Sequence, residues 1–146
     1  MIRPVDAGGR WLASGVTPSP RSIVELGAFS VSLSVKDMKA SRDFYAKLGF
    51  EMMGGDGETW TIVANQSHVL GLFQGMFEGN LLTFNPGWSG TGQELDEFTD
   101  IRDLRAQLTA LGVEATTDTT GATPSGPASF TVVDPDGNAI LLDQHR

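Results

Sequence analysis

The chain has 146 residues, no cysteine and a formal net charge of −8 at pH 7. The lack of thiols excludes disulfides and cysteine nucleophiles, and the acidic balance argues against nucleic acid, because affinity for phosphates comes from lysine and arginine. No apolar run is long enough to span a bilayer and the first residues lack a signal-peptide layout, so we expect a cytoplasmic protein that contacts no membrane.

Residues 1–26 contain prolines and glycines at irregular spacing, and we predict that they form an N-terminal arm ahead of the folded domain. Trp11 and Leu12 could attach this arm to the body of the protein or to a partner subunit. The domain itself is predicted to occupy residues 27–146.

The stretch AFSVSLSV at 28–35 alternates apolar and small polar side chains, which predicts a β-strand. Three serines share one face of this strand, opposite its apolar residues: Ser30, Ser32 and Ser34. Small polar side chains in a row suit the wall of a cavity better than a packed interface, so we expect this face to line a cleft.

A helix is predicted after this strand, because Asp37 suits the N-cap position and Gly49 suits the position just after the last turn. Side chains at helical spacing are predicted to face inward: Met38, Ser41, Phe44, Tyr45 and Leu48. Three further strands are predicted at 50–53, 59–64 and 68–73, with turn residues between them.

The stretch FTDIRDLRAQLTALGVE at 98–114 repeats the pattern of VKDMKASRDFYAKLGFE at 35–51. Asp100 is therefore predicted to cap a second helix at the position equivalent to Asp37. The side chains predicted to face inward from this helix are Ile101, Leu104, Leu108 and Leu111.

Strands are also predicted on both sides of the second helix. One precedes it at 80–85, with a region near 93–98 as the alternative, and the others follow it at 113–117, 129–133 and 139–143. The order βαβββ thus occurs twice, over about 27–79 and about 80–146. Neither half could bury both faces of a four-stranded sheet alone. We therefore predict an α+β fold, in which two tandem βαβββ modules form a curved eight-stranded mixed sheet around a shared cleft.

Three stretches, SLSVKDMKASRDFYAKLGFE, DIRDLRAQLTALGVE and VVDPDGNAILL, resemble the vicinal-oxygen-chelate superfamily. Its members include glyoxalase I, the bleomycin-resistance proteins and the extradiol dioxygenases. The resemblance covers nearly everything after the arm and implies a glyoxalase/bleomycin-resistance-like domain and a homodimer. It also implies a divalent metal held by His or Gln on the first and fifth strands and by Glu on the fourth and eighth.

At the matching positions this chain has Ser30 on the first strand, Gly71 on the fourth and Leu141 on the eighth. The fifth-strand position falls on Asn80 or Leu81 if that strand covers 80–85, and on Gln93 in the alternative alignment. Glycine and leucine carry no donor atom, so we expect no metal at this place and no other cofactor. A divalent metal at a displaced position stays open.

We therefore predict that the cleft binds a small organic molecule, with residues on or beside its wall as contacts: Ser30, Ser32, Trp60, Thr83, Asn85, Trp88 and Leu141. A place in the core is the alternative for Trp60. Asp143 points the same way as Leu141 at period two and His145 follows it, so this pair could perform acid–base chemistry. A plain surface terminus is the alternative for His145.

The alternative function is a lyase, isomerase or dioxygenase-like enzyme. It would use Asp143 and His145 without metal, or a displaced metal bound by these two residues and Gln93. A regulatory module with a vestigial cleft is a third possibility. The remaining histidine, His68, lies beside a turn and is predicted to be a surface residue.

Overall fold

The computed structural model describes residues 24–90 and 92–146. The predicted arm therefore lies outside the described residues, except for 24–26. The elements of the first module are β1 Ala28–Val35, α1 Met38–Lys47, β2 Glu51–Gly55, β3 Trp60–Asn65 and β4 His68–Gln74. Those of the second are β5 Leu81–Asn85, α2 Ile101–Ala110, β6 Thr117–Asp118, β7 Ala128–Val133 and β8 Ala139–Gln144.

All eight strands form one sheet in the order β2-β3-β4-β1-β5-β8-β7-β6. β1 runs parallel to β4 and antiparallel to β5, and β5 runs parallel to β8. The sheet is therefore mixed and open, with β2 and β6 at its edges, and the predicted α+β fold is confirmed. The fifth strand covers Leu81–Asn85, so the alternative near 93–98 is wrong.

Helix α1 begins as predicted, because the Asp37 side chain accepts a hydrogen bond from the Ala40 backbone N–H. Met38 is buried and Tyr45 packs beside it against the first module of the sheet. The prediction was wrong for Phe44 and Leu48, which are 55% and 53% exposed. Successive residues turn about 100° around a helix, so these two lie outside the narrow stripe that faces the sheet.

Helix α2 begins at the predicted cap, where Asp100 accepts a hydrogen bond from the Arg102 N–H. Ile101 and Leu104 are fully buried against the second module. Leu111 was predicted to face inward but is exposed, since it forms the C-cap, beyond the last turn that packs on the sheet. Within the described residues, neither helix has the length and apolar character needed to cross a membrane.

Both helices cover the same face of the sheet, and two buried clusters fill the space beneath them. One contains Met38, Val63 and Leu72, and the other contains Ile101, Leu104, Ala128, Phe130, Val132 and Leu142. The predicted strand at 113–117 is reduced to Thr117–Asp118, because Val113 and Ala115 pack against the second cluster instead of pairing in the sheet.

Candidate functional site

The sheet face turned away from the helices is called the open face below. Side chains alternate between the two faces of a strand, and Leu33, Leu72 and Leu142 belong to the clusters under the helices. The alternate residues therefore share the open face, and the strand pairing sets them side by side. They include Ser30, Ser32, Trp60, Gly71, Phe73, Thr83, Asn85, Ser129, Leu141 and Asp143.

The open face thus brings together six of the seven residues predicted to contact a ligand, all but Trp88. Ser30 lies opposite Thr83 on the neighbouring strand, and Thr83 in turn lies beside Leu141. Trp60 is 37% exposed, so the alternative of a place in the core is wrong for this residue.

A pair of hydroxyl groups lies at the centre of the open face. Ser32 Oγ and Thr83 Oγ1 are 2.7 Å apart and form a hydrogen bond between the two modules. Ser32 is only 3% exposed, whereas Thr83 is half-buried. Each hydroxyl group has one hydrogen and their mutual bond uses one of the two, so the pair keeps one hydrogen for a further acceptor.

An aromatic ring covers Gly71, the fourth-strand position at which the family's enzymes have a metal ligand. A β-carbon placed on Gly71 would lie 2.6 Å from Cε2 of Phe73, which is closer than carbon atoms can approach. The Phe73 ring also packs at 5.4 Å from that of Phe77, whose backbone oxygen accepts a hydrogen bond from the Ser34 hydroxyl group. A glutamate at position 71 would have to displace the Phe73 ring.

The donor set does not fit a divalent metal at the family position. At the matching positions Ser30 offers one hydroxyl oxygen, while Gly71, Leu81 and Leu141 offer no side-chain donor. Asn80, the other fifth-strand alternative, precedes β5 and its Oδ1 accepts a hydrogen bond from the Ser34 N–H. The fifth-strand residue that lies beside Ser30 is Thr83, which offers one further hydroxyl oxygen. The part of the chain that the structure describes contains no group of three or more His, Asp or Glu side chains that could hold a metal ion. Zinc and the harder divalent ions need more ligands than one or two neutral hydroxyl oxygens supply.

A group of polar and aromatic residues lies where β5 and β8 end. We call this region the polar end; it is formed by Asn85, Trp88, Ser129, Asp143 and His145. Ser129 lies opposite Asp143, and Asn85 and Asp143 each follow directly after the last β5–β8 pair, Phe84 and Leu142. His145 Nε2 lies 2.8 Å from Asp143 Oδ2, and the His145 and Trp88 rings meet edge to face at 6.5 Å. An open depression of about 450 Å³ is lined by Ser129, Asp143 and His145 together with Pro127, Ala128 and Gln144.

The hydrogen bond that His145 donates to the Asp143 carboxylate raises the pKa of His145, against the opposing effect of partial burial. The carboxylate favours the charged imidazolium, so a proton that reaches His145 is held more firmly than on a free histidine. The contact also fixes the orientation of the ring.

Two polar atoms of the polar end are buried without a hydrogen-bond partner, namely Asn85 Oδ1 and Trp88 Nε1. Leaving such an atom unpaired costs on the order of 1–3 kcal/mol. The Asn85 oxygen accepts hydrogen bonds and the Trp88 N–H donates them, and a water molecule could satisfy either atom.

Several residues that shape the site escaped the sequence analysis. Phe73 follows Gly71 at period two, and that spacing could have indicated their contact. Arg146 binds the backbone oxygens of Gly87 and Leu95 and so fastens the loop between β5 and α2. The same loop contains the exposed Gln93, and its Gly92 lies against Met53 of the distant strand β2. Loop contacts of this kind produce no periodic pattern in the sequence.

A family model for the Glyoxalase/Bleomycin resistance protein/Dioxygenase superfamily matches residues 27–142. No curated protein matches the sequence.

The three solved structures described next share the fold at low sequence identity. One described as an NAD-dependent benzaldehyde dehydrogenase from Legionella pneumophila is 18% identical, with a TM-score of 0.60 over 81% of this chain and 99% of the other. A superfamily member from Vibrio splendidus 12B01 is 16% identical, with a TM-score of 0.52 over 80% and 97%. A Mn(II)-bound glyoxalase from Novosphingobium aromaticivorans is 23% identical, with a TM-score of 0.50 over 84% and 40%. At these identities the likeness concerns the fold alone.

Proposed function

The chain belongs to the glyoxalase/bleomycin resistance protein/dioxygenase superfamily, and from this membership we propose that it binds a small organic molecule on the open face without a metal at the family position. The observation that carries the proposal is the Phe73 ring over Gly71, where the family's enzymes would have a glutamate ligand. The Phe73 ring thus occupies the space that a metal-binding side chain would need.

Two further features support an organic ligand. The Ser32–Thr83 hydroxyl pair offers a hydrogen-bond donor at the centre of the face. Trp60 and Phe73 lie opposite each other on β3 and β4 and present aromatic area on the same side. Small-molecule sites commonly combine such apolar walls with a few directed polar groups.

The test is a thermal-shift screen of planar aromatic compounds, followed by calorimetric titration of each compound that raises the melting temperature. We expect a binder whose affinity falls at least about tenfold in Thr83→Val, because Thr83 has the more exposed hydroxyl group of the pair and the variant loses about one directed hydrogen bond to the ligand. His68→Ala is the matched surface control and should bind normally. A hit that binds Thr83→Val and the wild type equally would place the ligand elsewhere and contradict the proposal.

The metal is tested separately by titrating protein purified without chelator or metal-affinity resin with nickel, zinc, manganese and iron(II). We expect no saturable one-to-one binding. Stoichiometric binding that survives in His145→Gln would contradict the proposal, because it would mean that the family position holds a metal after all.

Because the family resemblance implies a homodimer, we also propose that this chain forms one and that the N-terminal arm contributes to the dimer interface. Static light scattering of the full chain and of a variant lacking residues 1–24 tests both statements. A monomeric full chain would contradict the dimer, and an unchanged mass after the deletion would contradict the role of the arm.

Metal-free acid–base catalysis of the lyase or isomerase type is a second candidate function, favoured by the 2.8 Å contact between Asp143 and His145. Incorporation of deuterium from D₂O into a bound compound would support it. Unchanged compound after prolonged incubation would leave binding as the function.

A further inference from the structure

We propose that the polar end receives an acidic O–H group of the ligand, of the phenol or enol class, and that His145 Nδ1 accepts the proton of this group while Asp143 orients the imidazole. The inference rests on the proposed function and deepens it, since it assigns a ligand class and an orientation to the same open face.

The hydrogen bond to Asp143 decides which nitrogen of His145 can act. A carboxylate only accepts hydrogen bonds, so the neutral imidazole carries its hydrogen on Nε2, which faces Asp143 Oδ2 at 2.8 Å. Nδ1 then keeps its lone pair. In the proposed step the O–H bond of the ligand breaks, its proton binds Nδ1, and the electron pair stays on the ligand oxygen. The products are an imidazolium and an anionic oxygen, and Asp143 stabilises the imidazolium.

The surroundings of His145 favour this step. Asp143 is the charged group that contacts the ring, and Trp88 packs on the ring without adding a charge. The neighbouring Arg146 turns its guanidinium group to the backbone oxygens of Gly87 and Leu95 and approaches Glu94 at 4.0 Å. The ring is about half-exposed at the depression, so a ligand can reach it.

The distance from the hydroxyl pair to the polar end suits a ligand with one aromatic ring. Thr83 lies beside Leu141, and Asp143 follows Leu141 by two residues on the same face. Two residues of a strand rise about 7 Å, and His145 lies two residues beyond Asp143, so the span from the hydroxyl pair to His145 is about 7 Å or more. A benzene ring with one substituent at each end, and a hydrogen bond of about 3 Å to the protein at each end, fits such a span. The hydroxyl pair would then donate to an acceptor at one end of the ligand, and His145 would accept the O–H hydrogen at the other.

The probe for this geometry is 4-nitrophenol, which has nitro oxygens at one end, an O–H group at the other and a visible absorption that appears on ionisation. The protein is titrated with the probe at several pH values around neutrality, including values above the raised pKa of His145, where the imidazole of the free protein is neutral. The ionised fraction of the bound probe is compared with that of the free probe at each pH. Tryptophan fluorescence quenching reports binding, and absorbance reports the ionised fraction of the bound probe. We expect bound probe to be ionised by the wild type.

Variants assign the effect to atoms. His145→Gln should lower the ratio of ionised to neutral bound probe about tenfold or more, which corresponds to one pKa unit, and Asp143→Asn should lower it less. Thr83→Val should weaken binding without changing that ratio, and His68→Gln is the control histidine variant. Far-ultraviolet circular dichroism of each variant checks that it is folded.

The outcomes distinguish failure of this inference from failure of the proposed function. Ionisation lost in His145→Gln alone supports the inference. Binding with the same ionised fraction in the wild type and in His145→Gln overturns the inference and leaves the proposed function standing. Failure of the wild type to bind the probe, while other planar compounds bind in a Thr83-dependent way, overturns the phenol class. No binding of any compound overturns the proposed function itself.

Discussion

Gln144 Oε1 accepts a hydrogen bond of 2.7 Å from the Ile101 backbone N–H, and this bond ties the end of β8 to the first turn of α2. The first module contains the same device, in which Gln74 Oε1 accepts from the Met38 N–H at 2.7 Å. Each helix thus has one of its orphan N–H groups satisfied by a glutamine at the end of its module's last strand. The internal repeat therefore extends beyond the helix sequences to a side-chain contact.

The two glutamines differ in burial, which predicts unequal costs of removal. Gln144 is fully buried, and its Nε2 also lies within bonding distance of oxygens of Asp100, Gly126 and Arg146. We expect Gln144→Ala to lower the free energy of unfolding by about 2–3 kcal/mol, because buried groups lose their partners. The exposed Gln74, changed to Ala, should cost about 1 kcal/mol. Urea unfolding of both variants measures the difference, and equal costs would contradict the prediction.

The contact between Gly71 and Phe73 predicts a coupled pair of substitutions. Gly71→Ala should cost about 1–3 kcal/mol, because its methyl group would overlap the Phe73 ring. Gly54→Ala is the matched strand control, because a β-carbon there would meet no atom within 4 Å. In a double-mutant cycle, Gly71→Ala should cost much less in the background of Phe73→Leu than in the wild type. Equal costs in both backgrounds would show that the ring is not the obstacle.

The Asp143–His145 pair predicts a pH dependence near neutrality. The raised pKa of His145 means that the pair stabilises the folded chain while the imidazole is charged, at pH values below its unfolded pKa of 6.5. This contribution is lost as the pH rises through the higher folded pKa. For a half-exposed pair it should not exceed about 1 kcal/mol. Melting temperatures of the wild type and Asp143→Asn between pH 5 and pH 8, in steps of about half a unit, test this. Parallel curves for the two proteins would refute it.

Asp56 predicts a pH dependence at the acidic end. Its carboxylate accepts hydrogen bonds from the Thr59 hydroxyl group and from the N–H groups of Glu58, Thr59 and Trp60, and these bonds hold its pKa well below the usual range. The stabilisation is present above the unfolded pKa of 3.8 and is lost as the pH falls toward the lower folded pKa. We expect Asp56→Asn to lower the melting temperature at pH 7 and to flatten its acid dependence. Glu78→Gln, an exposed carboxylate variant, should follow the wild type.

Local signals made much of the fold predictable. Asp37 and Asp100 cap their helices as expected, and the alternation in 28–35 predicted β1 with its correct bounds. Period two also predicted correctly that Asp143 and Leu141 share a face. These features depend on neighbouring residues, whose preferences the sequence displays directly.

The predictions failed where contacts between distant parts of the chain determine the position of a residue. The exposed Phe44 and Leu111 are apolar at helical spacing, but the sheet reaches only part of each helix. The gathering of Asn85, Trp88 and His145 depends on the pairing of β5 with β8, more than fifty residues apart in the chain. Pairing between distant strands produces no local pattern in the sequence. The sequence therefore indicated individual residues of the polar end, but not that they lie together.

The position of β1 has a consequence for the folding of the chain. This strand is hydrogen-bonded on one side to β4 of its own module and on the other to β5 of the next. Unfolding of either module would leave β1 or β5 as an unpaired edge strand of the other module, open to association with another molecule. The pairing of β1 with β5 therefore favours unfolding of both modules in one cooperative transition. Amide hydrogens of β1 and β5 should then exchange with the same free energy of opening, whereas independent values would reveal two separate folding units.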